Sequence, residues 1–193
     1  MPSKDFQDFV SSCFPTNFGE WHDGLNNSAL LKLTGDERIE AERMILNGIR
    51  PTWRSNNAIE AAGYLRLRSA SALLKREIAN TRIKRFLEIV ILFPLYIISY
   101  EYFHERIAKL AWSLHQIEKY PKSLSLIISE LESSKWKEKT PSFFQMYGFI
   151  LLTSFYEEAK TIEYLESCLH DKKFAILAKS ALETVKYRKS HKV

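Results

Sequence analysis

Glu101-Tyr102-Phe103-His104 is a Glu-x-x-His step, which on a helix sets carboxylate and imidazole on one face, as the ligands of a carboxylate-bridged metal pair must be set. Such a centre needs the step twice together with two further glutamates. The sequence contains it once, so the expectation is a surface-lying pair and no metal site. His104 and His115 lie about three helical turns apart, and neither has a second histidine or a cysteine at ligand spacing. Cys13 and Cys168 form no closely spaced pair, and no motif sets a histidine beside either thiol. Neither a zinc site, a disulfide framework nor a catalytic thiol is expected. His22-Asp23 precedes Gly24 in what reads as a turn. With no G-x-S-x-G elbow, phosphate-cradling glycine loop or H-E-x-x-H, the sequence predicts no catalytic residue and no cofactor.

Charge carries more. Between Arg50 and Arg85 nine basic residues face two carboxylates, Glu60 and Glu77, a surplus of seven in a chain whose whole net charge is +5. The remainder is therefore slightly acidic, and the basic character gathers around the second and third helices and their loops. Arg50, Trp53, Arg54, Arg66 and Arg68 are the candidate binding residues, because they fall at predicted helix corners where side chains reach outward. Trp53 either joins that surface or packs across the next helix pair. The tail "KYRKSHKV" adds a second basic cluster that reads as a frayed, solvated end.

The elements that must position these residues are helices. Thr34-Gly35-Asp36-Glu37 has the form of a capping box; Ala41, Met44, Ile45 and Gly48 then keep helical spacing, and Pro51 closes the run. A second helix with Ala58, Ala61, Ala62 and Leu65 on one face follows, small enough there for a neighbour to approach closely. The pattern returns as Ala70, Leu73, Leu74, Ile78 and as Ile107, Leu110, Ala111, Leu114. It returns again as Leu124, Ile127, Ile128, Leu131 and as Phe143, Tyr147, Ile150, Leu151. A last pair holds Ile162, Leu165, Leu169 and Phe174, Leu177, Ala178, Ala181. Four helix pairs in succession predict an all-α, irregular α-solenoid.

The segments "GDERIEAERMILNGI", "NNAIEAAGYLRLRSASALLKREI" and "HERIAKLAWSLHQI" resemble bacterial HEAT-type repeats, in which a charged first helix precedes an alanine-rich second one. The resemblance spans residues 34–79 and 104–131 and thins beyond. It implies a protein-binding module working through an extended surface. Small bacterial proteins of this appearance include immunity proteins that occlude the active surface of a toxin, and the basic cluster implies an acidic patch on such a partner. HEAT-like alkylpurine DNA glycosylases mark the alternative, a nucleic-acid binder, although their tryptophan, aspartate and arginine set finds no residue-by-residue match here.

With 193 residues, 46% hydrophobic and 26% charged, the chain is read as one domain over 1–193. Residues 1–30 form an N-terminal cap, in which Phe6, Phe9, Val10 and Cys13 keep helical spacing; a binding arm is the other reading. Residues 34–79 hold the first HEAT-like helices, 80–103 an apolar helical insertion that adds a helix, 104–188 the later pairs, and 189–193 the tail. The apolar run "IVILFPLYII" at 89–98 is half the length a spanning helix needs and contains Pro94, so a buried bent segment is expected. The start has no signal-peptide core, which predicts a cytoplasmic protein.

Overall fold

A computed structural model describes residues 1–16, 24–50, 55–91, 96–134 and 141–191, with the side chains of all of these except 87–91, 96–101, 134 and 143. Ten α-helices and no strand are present among the described residues, so the fold is all-α. They are α1 (Lys4–Cys13), α2 (Asn27–Lys32), α3 (Gly35–Gly48), α4 (Asn56–Tyr64), α5 (Ser71–Ile91), α6 (Tyr96–Glu118), α7 (Ser123–Ser134), α8 (Phe143–Leu152), α9 (Ala159–Cys168) and α10 (Ala175–His191). Short 3-10 turns lead into α5 (Arg68–Ala70) and out of α8 (Thr153–Phe155).

Consecutive helices pair as α3 with α4, α5 with α6, α7 with α8 and α9 with α10, while α4, α6, α8 and α10 also meet in succession. The long α6 is the hub: its residues Ile107, Ala108, Leu110, Ala111 and Leu114 are fully buried between α4, α5, α7 and α8. Small residues permit the α4 contact. A Cβ on Gly63 would come within 3.0 Å of the Ser113 backbone and 2.7 Å of the Trp112 ring, and the Ser113 hydroxyl donates to the Ile59 carbonyl at 2.7 Å. At the other end α1 lies against α2, α3 and α4, burying Phe9 and Cys13 and accepting the Asn57 amide at the Ser12 carbonyl, 2.7 Å.

Several expectations are corrected. Thr34 makes no side-chain cap bond to α3. Glu37, the reciprocal partner in the expected box, instead accepts from both the backbone N–H and the hydroxyl of Ser3, each at 2.6 Å, and these bonds hold its carboxyl below the usual range. A tertiary donor has outcompeted the local one. The capping box that does form is Ser142 with Gln145 at the start of α8. On α8 the expected stripe holds only in part: Leu151 is buried and Tyr147 partly so, but Ile150 is 63% exposed, and the buried Phe144, Phe149 and Leu152 fall outside it. That helix is apolar nearly all round, so hydrophobicity leaves its facing unspecified. Gly148 decides it, because a Cβ there would sit 2.7 Å from Leu131 of α7. Leu169 is likewise outside the core. Residues 80–91 and 96–103 continue α5 and α6 and form no separate helix, with Pro94 falling in the interval outside the described residues. No described helix is long and apolar enough to cross a membrane.

Candidate functional site

A helix buried on all sides is normally apolar all round, yet α6 carries ionisable side chains into each of its interfaces. Arg106, 1% exposed, reaches Glu77 of α5 at 2.9 Å, the Ser55 hydroxyl at 2.5 Å, Thr81 at 3.3 Å and the backbone carbonyl of Arg50 at 2.6 Å. Lys109 bridges Glu60 of α4 at 3.1 Å and Glu105 at 2.9 Å, its ammonium over the Tyr147 ring, and the Tyr147 hydroxyl donates to Glu60. His104 is fully buried, with Nδ1 2.5 Å from Glu130 of α7, and Glu130 also takes Arg85 of α5 at 2.6 Å.

Burial pushes the Glu60 carboxyl up, Lys109 only partly opposing it. For Lys109 burial acts downward, but Glu60 and Glu105 together raise the ammonium. Unpaired charges at this depth would be costly; paired and hydrogen-bonded they are tolerable and tie helices in one arrangement. A hollow of about 550 Å³ lies elsewhere, between α1 and α3, lined by Phe14, Pro15, Thr16, Met44, Asn47, Gly48 and Arg50.

The expected surface pair of Glu101 and His104 is therefore corrected: His104 belongs to the seam, and the Glu101 side chain lies outside the described residues. Among the described residues no three metal-ligating side chains converge. Both Cys13 and Cys168 are buried, and burial raises the Cys13 thiol, away from reactivity.

The seam also alters the charge balance of the surface. Glu60 and Glu77, the two carboxylates of the basic region, are turned inward and neutralised by cations of α6. Lys75 and Arg85 are satisfied by Glu118 and Glu130. What remains exposed is Arg50, Arg66, Arg68, Arg76, Arg82 and Lys84, and among the described residues none of these forms an ion pair.

The candidate binding residues divide into two places. Arg50 is at the corner between α3 and α4, its guanidinium on the Asn47 carbonyl at 2.9 Å; Trp53 and Arg54 belong to that corner in sequence and lie outside the described residues. Arg66 and Arg68 are at the far end of α4, roughly 15 Å away for about ten helical residues. Arg66 has φ +51°, and its N–H bonds to the Gly63 carbonyl while that of Leu67 reaches Ala62, both at 3.0 Å. This is a Schellman close, whose left-handed position glycine usually fills. Sequence reasoning missed Ile83 and Phe86, exposed on α5 beside Arg82 and Lys84. Their phase was legible only to a reader who knew that Glu77 and Thr81 face inward.

The class these features define is an all-α protein with a buried ionic seam and exposed cations at two helix corners. No protein-family model, curated protein or solved structure matches the chain.

Proposed function

We propose that this chain is a non-enzymatic protein-binding module, an irregular HEAT-like α-solenoid of about four helix pairs that acts as an immunity-type inhibitor, occluding the active surface of a bacterial toxin through an acidic patch on that partner. The observation that carries the reading is the set of exposed cations with no ion-pair partner among the described residues, above all Arg66 in a position that favours glycine. A side chain kept where the backbone disfavours it points to use of that side chain. The succession α4, α6, α8, α10, each packed on its preceding helix, supports the stacked-hairpin arrangement, since a solenoid repeat contacts mainly its neighbours. The alternative, a nucleic-acid binder, draws on the same arginines.

The test is protection and capture. The product of the adjoining gene is expressed with and without this chain, and binding is measured for the unaltered protein and for the double variant Arg66→Glu/Arg68→Glu. The variant is expected to bind more weakly with unchanged thermal unfolding, because both side chains are exposed and like-charge contacts oppose docking. Duplex DNA is titrated in parallel. Tight duplex binding at physiological salt, with a log-salt slope that flattens by about one unit per lost phosphate contact in the variant, replaces this reading by the nucleic-acid one.

A further inference from the structure

Helix α5 turns Leu74, Glu77, Ile78 and Thr81 toward α6 and the core. The opposite side is set by that phase: Arg76, Ile83 and Phe86, at i, i+7 and i+10, fall on one outward line. Ile83 is 58% exposed and Phe86 66%, the most open large apolar pair on any helix of the basic region. Arg82 and Lys84 flank the line on its two sides, and Arg68 stands ahead of it in the 3-10 turn. No described carboxylate opposes them on this side, since Glu77 is buried on Arg106.

We infer that this ridge of α5 is the docking element for an acidic protein partner, specifically for an amphipathic helix whose apolar stripe meets Phe86 and Ile83 and is flanked by carboxylates. The inference rests on the protein-binding reading above and adds to it the element, the anchors and the chemistry of the partner.

Charge complementarity chooses the occupant. A second copy of this chain would bring the same cations face to face, which opposes association. Nucleic acid would use the arginines through its phosphates and leave Ile83 and Phe86 in water. A lipid surface asks for a broad apolar face lying in the interface, whereas here two large side chains sit between closely spaced cations. An aromatic anchor with arginines around it is the composition of a protein hot spot. From Arg76 to Phe86 the ridge is roughly 15 Å long, about three turns of a partner helix.

The test uses the full chain and a labelled synthetic helical peptide with a leucine stripe flanked by glutamates, read by fluorescence anisotropy. A control peptide keeps the charges and replaces the leucines by serine. The expected result is binding of the leucine peptide that weakens about tenfold or more in Ile83→Ala/Phe86→Ala, and comparably with the serine peptide. Met146→Ala, at an exposed position of α8, is expected to leave binding unchanged. Thermal unfolding of each variant verifies folding.

Failure of the unaltered chain to bind the leucine peptide overturns the inference. Equal binding of the two peptides, lost in Arg66→Glu/Arg68→Glu but indifferent to Phe86, overturns the ridge while the protein-binding reading stands. Preferential, Phe86-dependent binding to phosphatidylserine vesicles overturns it in favour of a lipid surface. Preferential binding to a duplex overturns both readings.

Discussion

Arg66 holds a left-handed backbone conformation that costs an L-residue about 1 to 2 kcal/mol relative to the right-handed one. Glycine would relieve that strain but give back about 0.4 to 1 kcal/mol through the freer unfolded chain. Strain relief is the larger effect, so Arg66→Gly is expected to stabilise the protein by about 0.5 to 1 kcal/mol in urea unfolding, while weakening capture of the partner. His115 offers a second residue-scale prediction. Its ring lies tilted against Phe155, centroids 4.1 Å apart, and burial, aided by Lys119, lowers its pKa from 6.5 to about 4. The folded state then favours the neutral ring. Its contribution is full above about pH 6.5 and is lost as pH falls toward 4, because the unfolded chain takes up the proton first. Urea midpoints measured across that window should fall less steeply for His115→Gln than for the unaltered protein; parallel slopes would show that His115 is not the group responsible.

At the scale of elements, the seam along α6 divides what the sequence made legible from what it did not. Leu74, Ile107, Leu110, Leu114 and Ile127 announced their burial through spacing, and all are at 0% exposure. His104 is expected at the surface with Glu101, and local spacing gives Arg106, Lys109 and Glu130 no sign of burial; only packing from α4, α5 and α7 reveals their partners. The same limit explains Glu37: three positions from Thr34 it spells a cap, and its actual donor is 34 residues away. The candidate site was legible as a concentration of charge, but its division between two corners follows from the length of α4. Arg106→Met should destabilise by about 3 to 5 kcal/mol, since it leaves the Glu77 carboxylate buried without its cation. Combining it with Glu77→Leu should recover much of that loss, because an apolar pair carries no desolvation cost. Chemical denaturation of the four proteins forms the cycle; simple additivity would place the pair's role elsewhere.

Across the whole molecule, α6 touches four neighbours through both apolar and ionic contacts, whereas α1 to α3 and α9 to α10 lie at the two ends and hold to the rest through fewer helices. Native-state hydrogen exchange should therefore find the slowest amides in α6 around Ile107 to Leu114, with α9 and α10 opening earlier as a unit. Uniform protection along the chain would contradict this. Cys13, sealed in α1, and Cys168, sealed at the end of α9, stand in those two outer regions, and neither is tied up in a disulfide. Shielded in the closed state and alkylated once released, they make the protein its own pair of tamper seals: the order in which a thiol reagent marks them says which end of the molecule lets go first, with no residue substituted.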